Sequence, residues 1–293
     1  NKDTKEKEKE KEKEKKSTQK NDKKDNAIID IDFENYTNKN FKKYTANDLT
    51  KDFGKPSQRS SQLRGFNVNA KADSKALTTI ANGVLRANFP ANKSSGRDTG
   101  FVFDKNISAT EEATFQYDVK FQSGFDWAYG GKLPGMAGTA KSTIPVGCNK
   151  SVDDQKNGFS ARLMWRKNGT LVAYTYFPDR IVKGKIAKSG PGSCGLDHKI
   201  ATLKAGKQYT IKQTIKLNNP TKKNGVLKVE VFDDKGDLVD SLNLTNVRFR
   251  VNSKVKINNI LFHTYRGGGR TDKRFMGSKN NTIDFDNFKL FTP

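Results

Sequence analysis

From residue 26 onward, apolar side chains recur at every second position, and that period leaves the chain little besides β structure to form. The segments AIIDIDF (27–33), GVLRANF (83–89), ATFQYDVKF (113–121), GFSARLMW (158–165) and TLVAYTYF (170–177) alternate or run β-rich. So do QYTIKQTIKL (208–217), GVLKVEVF (225–232), VKINNILFHTY (255–265) and TIDFDNFKLF (282–291). Turns rich in Gly, Asn, Asp and Lys separate them. Helical periods are scarce; residues 46–51 and 108–112 could hold a turn or two. Strands without intervening helices predict an all-β fold, a two-sheet jelly-roll sandwich. With Leu, Ile and Val modest, the 19 Phe and 8 Tyr must supply much of its core.

Residues 26–293 carry no repeat of solenoid or propeller length and are expected to form a single domain. Residues 1–25 are a Lys-Glu repeat and a polar stretch with no apolar face to pack, so a disordered, solvating tail is expected there. That tail holds 11 Lys against 8 Asp and Glu, only +3 of the net +23. The folded part therefore presents a positive field to polyanions, whether nucleic acid, anionic lipid or acidic polysaccharide. No run reaches the roughly 18 apolar residues needed to cross a bilayer, and a soluble protein is expected.

The first residue is Asn1, which points to a removed leader or a longer precursor. Cys148 and Cys194 lie in Gly-rich loops with nothing apolar to bury a thiol, and a disulfide between them is expected in an oxidising compartment. Two cysteines are too few for a zinc site. Seven Asn-x-Ser/Thr triplets, at Asn35, Asn92, Asn106, Asn149, Asn168, Asn243 and Asn280, agree with a secreted glycoprotein.

Residues 158–177 resolve further. In the first strand Phe159, Ala161, Leu163 and Trp165 face one way, and Ser160, Arg162 and Met164 the other. The second opposes Leu171, Ala173, Thr175 and Phe177 to Val172, Tyr174 and Tyr176. A two-residue Asn-Gly turn would mix polar and apolar groups on both faces. A three-residue Lys167-Asn168-Gly169 loop, a type I turn with Gly169 left-handed in a bulge, pairs Arg162 with Tyr174 and Ser160 with Tyr176. One face is then almost wholly apolar, and its burial selects the second register. Ser160, Arg162, Tyr174 and Tyr176 are thereby expected to share an exposed sheet surface. The segment YGGKLPGMAG (129–138) reads as a close-packed turn that fixes Lys132.

YGGKLPGMAG, GFSARLMWRKNG, VAYTYFP, HTYRGGG (263–269) and DFDNFKLF (284–291), in that order and spacing, resemble the alginate and glucuronan lyases of polysaccharide lyase family 14. The glucuronan lyases of family 20 are close to them. The resemblance spans most of residues 112–291; the long 139–157 loop departs from it. It implies a jelly roll with a cleft on a concave sheet, and functional positions at Lys132, Ser160, Arg162, Tyr174 and Tyr176.

It further implies β-elimination on a polyuronate, glucuronan or alginate, with no metal or organic cofactor. Lys132 or Arg162 would neutralise the uronate carboxylate, and a tyrosine, Tyr174 before Tyr176, would move the proton. His198, His263, Arg266 and Arg270, with Lys273 and Arg274 nearby, are candidates for binding the polyanion, and either histidine could instead be the base. The expected partner is an acidic polysaccharide rather than nucleic acid or a membrane, and the expected state is a secreted monomer. A non-catalytic binder of acidic glycans is the alternative reading; a nucleic-acid binder would not need the GGKLPG segment.

Overall fold

The computed structural model describes residues 27–66, 76–147, 151–182, 185–186 and 195–293. The charged tail and both cysteines lie outside them. Among the described residues the strands, in chain order, begin with β1 (Ile29–Ile31), β2 (Lys42–Lys43), β3 (Thr78–Ala81), β4 (Val84–Phe89), β5 (Phe101–Thr110) and β6 (Glu112–Phe121). Then come β7 (Gly131–Thr139), β8 (Gly158–Trp165), β9 (Thr170–Tyr176), β10 (Ile181–Val182), β11 (Lys185–Ile186) and β12 (Leu196–Thr202). The last are β13 (Gln208–Lys216), β14 (Gly225–Asp233), β15 (Leu238–Val247), β16 (Ile257–Arg266) and β17 (Asn281–Phe291). Each of the nine predicted runs overlaps one of these strands along most of the strand's length.

Two antiparallel sheets form the sandwich, as the period-two pattern predicts. The larger runs β15-β14-β13-β6-β17-β4-β3-β2, with β1 also on β17; the smaller runs β12-β9-β8-β7-β16-β5. Phenylalanines fill the space between them. Phe103 and Phe262 stack with centroids 4.5 Å apart, and Trp165 lies buried among Phe89, Phe121 and Phe125. Helix α1 (Ala46–Phe53) lies where the sequence allowed a turn or two. Thr45 caps it through a reciprocal bond with Asp48, and Leu49 and Phe53, four apart, enter the core together. The other predicted helical turn, 108–112, is instead the end of β5, a bend at Glu111 and the start of β6. There the chain leaves β5 in the small sheet and enters β6 in the large one.

The largest departure from the sequence reading is the segment 129–138. Gly and Pro density reads as a turn, yet Gly131–Thr139 is a strand with every residue buried, in the interior of the small sheet. Pro134 has no N–H to give the ladder, and the register slips beside it, between Leu133 and Gly135 against β8 and between Leu261 and Tyr265 against β16. The glycines serve close packing. A Cβ on Gly131 would fall on the Trp165 ring.

The β8–β9 hairpin has the register selected by the buried face, with Arg162 opposite Tyr174 and Ser160 opposite Tyr176. Its turn differs from the type I form. Asn168 and Gly169 both take positive φ (58° and 77°), and the Thr170 N–H donates to the Lys167 carbonyl. The Arg166 N–H also donates to the Thr170 carbonyl, so Thr170 faces two residues. This mirror-image turn suits the twist of the strands, and the extra residue restores the register.

On β17, Asp286 faces Asp118 of β6. Burial, then repulsion from Asp118 and Glu34, pushes its carboxyl up to about 6, against hydrogen bonds from backbone N–H groups. The folded state thus holds this proton more tightly than the unfolded chain, so stability falls as pH rises from about 4 through about 6. Asp286→Asn is expected to be more stable than the parent by about 1 kcal/mol at pH 7, after allowing for solvent screening of this half-buried group. The two proteins should converge near pH 4. Denaturant titrations at several pH values check this; a difference that persists at low pH would refute the assignment.

Candidate active site

The small sheet sets adjacent strands β9, β8, β7 and β16 side by side, and alternation sends one set of side chains to its outer face. Register fixes that set: Lys132 faces both Met164 and Tyr265, Arg162 faces Tyr174, and Ser160 faces Tyr176. His263 joins them, two residues from Tyr265 on β16. The five principal sequence candidates therefore lie together, with His263, on one face.

They are not exposed. Relative accessibility is 0% for Ser160, 1% for Arg162, 2% for Tyr176, 5% for Tyr174 and 9% for Lys132. A polar sheet face reads as solvated, but the chain folds back over this one. The Pro145 carbonyl accepts from Ser160 Oγ at 2.6 Å, and the Val146 carbonyl accepts from Arg162 Nη2 at 2.9 Å. The Gly195 N–H donates to the Tyr174 hydroxyl at 3.0 Å.

The two tyrosines meet edge-on, with the Tyr176 hydroxyl donating to Tyr174 at 3.2 Å. Cations surround them. Lys132 Nζ lies 4.0 Å above the Tyr174 ring and 2.8 Å from Met164 Sδ. Arg166 approaches the same ring at 5.4 Å while its guanidinium holds Asp197, and Arg180 lies 4.7 Å from the Tyr176 ring centre. Burial, then the charges of Arg162 and Arg166, drives the Lys132 pKa well below its ordinary value. Burial, followed by the neighbouring Tyr174, pushes Tyr176 well up, although Arg162 pulls the other way. Tyr176 is therefore a phenol, available as a proton donor.

His263 stands behind Arg162. Its Nδ1 is 3.1 Å from Arg162 Nη1, and its Nε2 is 2.8 Å from Asp104 Oδ1. Burial lowers its pKa despite the Asp104 carboxylate, so the ring is neutral.

The other predicted binding residues are elsewhere. His198 pairs with Ala173 and shares that residue's face, opposite to Tyr174. Arg266 follows Tyr265 and turns to the other side of the sheet. There its Nη2 donates to the Asp126 carbonyl (2.8 Å) and Asn281 Oδ1 (3.0 Å), and burial brings its pKa down to about 10. Arg270 pairs with Asp98 at 2.6 Å at the end of an exposed loop.

Several members escaped the sequence reading. Arg166 was legible by parity, two positions beyond Met164, and Tyr265 by parity with His263. Asp104 sits in FVFDKN, a strand the reading missed. Arg180 ends the Pro178–Arg180 turn after β9, which no periodicity announces.

Known proteins of similar structure have the same fold. An alginate lyase of family 14 from Aplysia kurodai is 23% identical with a TM-score of 0.61, covering 73% of this chain and 84% of its own. The alginate lyase Aly36B is 24% identical with a TM-score of 0.66, covering 90% and 96%. The alginate lyase vAL-1 from Chlorella virus is 21% identical with a TM-score of 0.60, covering 92% and 100%. No curated protein sequence matches the chain. The family model described as polysaccharide lyase 14 matches residues 78–288, which includes the strands that carry Lys132, Arg162, the tyrosine pair and His263. Fold, site strands and family match agree, and the chain belongs to polysaccharide lyase family 14 as a polysaccharide lyase.

Proposed function

We propose that this lyase cleaves a polyuronate by β-elimination at the face shared by Lys132, Arg162, Tyr174 and Tyr176. The observation that carries this is a pair of buried basic side chains, Lys132 and Arg162, that touch no carboxylate among the described residues. Among the described residues, Lys132 Nζ meets a thioether and an aromatic ring. Arg162 bonds neutral groups, namely His263, Tyr265 and the Val146 carbonyl, and its buried Nε has no partner. Uncompensated buried charge costs several kcal/mol. A uronate carboxylate supplies the missing anion, and the Val146 carbonyl would have to leave Arg162 as it enters.

Held there, the carboxylate takes up charge as the C5 proton leaves, and the cations stabilise the enolate-like transition state. Tyr174 as phenolate accepts the C5 proton. The C5–H electron pair becomes the C4–C5 double bond, and the C4–O4 bond breaks. The departing O4 takes a proton from Tyr176, which Tyr174 then reprotonates. Two hydrogen-bond donors on the Tyr174 oxygen, from Tyr176 and Gly195, favour its negative form. Ser160, spent on the Pro145 carbonyl, holds the cover rather than the substrate.

Alginate is the first polymer to try, since the structural neighbours carry that name, and glucuronan the second. Ultraviolet absorbance of the conjugated C4–C5 double bond reports turnover. Tyr174→Phe is expected to lower kcat by about 10²–10³-fold with the circular dichroism spectrum unchanged, at a cost in stability of about 1–3 kcal/mol for the two donors that lose this acceptor. Undiminished turnover would remove Tyr174 from the mechanism, and no absorbance with any polyuronate would end the proposal.

A further inference from the structure

Ser60 lies outside the family-matched residues, yet it reaches the site. Its N–H and Oγ both donate to the Asp104 carboxylate, each at 2.6 Å. Asp104 is fully buried on β5, diagonal to His263 across the β5–β16 ladder. The two ends of the His263 ring meet opposite demands. An ionised carboxylate can only accept, so Nε2 carries the proton toward Asp104. A guanidinium can only donate, so Nδ1 presents its lone pair to Arg162. Burial would raise the Asp104 carboxyl, but the bonds from His263 and Ser60 outweigh it and hold it below the ordinary value.

We propose that Asp104 and Ser60 are positioning residues that lock His263 in its Nε2–H tautomer, so that Nδ1 aims Arg162 at the substrate carboxylate. The inference rests on the role given to Arg162 above. It removes His263 from proton transfer, because both ring nitrogens are occupied. It also gives the segment before residue 78 a part in the site. Buried positioning of this kind acts on rate, since a displacement of about 1 Å in a catalytic group costs about 10²-fold.

The chain has two histidines, so nitrogen-15 labelling of histidine in the full chain gives two imidazole patterns. For His263 the expected pattern is a protonated Nε2 and an unprotonated Nδ1; the reverse would overturn the proposal. Asp104→Asn leaves the amide facing donors from both Ser60 and His263, and is expected to lower kcat about 10–100-fold with little change in KM. The milder Ser60→Ala, which keeps the carboxylate, should lose about 2–10-fold and guards against misfolding of the first variant. In an Arg162→Ala background the effect of Asp104→Asn should shrink to within about 2-fold, because the carboxylate acts through that guanidinium. An undiminished effect in that background, or none in the parent, would overturn the positioning role. Wild-type turnover by Arg162→Ala alone would instead sink the assignment of Arg162.

Discussion

Replacing Lys132 with Met is expected to abolish turnover and stabilise the fold at the same time. The ammonium is buried against Met164 and the Tyr174 ring, with Arg162 and Arg166 close enough to depress its pKa further. A thioether of similar length fills the same space without desolvating a charge. The folded chain should gain about 1–3 kcal/mol, the range seen when buried ionic groups give way to apolar ones. Linkage sets the pH dependence. The lysine pKa is lower folded than unfolded, so the parent's penalty is complete in acid and fades as pH rises toward the ordinary lysine value. The stabilisation by Lys132→Met should therefore be greatest at low pH. Turnover should fall by at least about 10³-fold, because the group proposed to meet the developing enolate is gone. Absorbance assays and denaturant unfolding of one preparation decide it. A variant that loses stability along with activity would mean that Lys132 is structural, and one that keeps activity would remove it from the site.

The second large effect is on stability alone. A Cβ at Gly135 would sit far inside contact distance of the Ala161 carbonyl oxygen and 2.7 Å from Arg162 Cα. Both neighbours are backbone in β8, held by their own ladder, and neither can yield without moving Arg162. Gly135→Ala is expected to cost at least about 3 kcal/mol, as overpacking against backbone does. That corresponds to a fall in Tm of about 6–12 °C for a domain of this size. Gly269→Ala is the control: nothing lies within 4 Å of its Cβ position, and it should change stability by less than about 0.5 kcal/mol. Equal effects at the two positions would contradict the packing assigned to β7.

What the sequence determined by itself was the part governed by local period. Alternation specified the strands on both sides of the sandwich. In 158–177 it even specified the register, since a one-residue slip would carry Phe159, Leu163 and Trp165 out of the core. The set Ser160, Arg162, Tyr174 and Tyr176 followed from that register. Tertiary structure decided the rest. Gly131–Thr139 is a strand because the Trp165 ring and the β8 backbone need the room its glycines leave, a demand that comes from residues distant in sequence. The site face is buried because Pro145, Val146 and Gly195 fold over it, and no period encodes which loop covers which sheet. The Asp104–His263–Arg162 chain spans three strands and is anchored by Ser60 from a fourth segment, so only the folded ladder brings those charges within hydrogen-bonding reach.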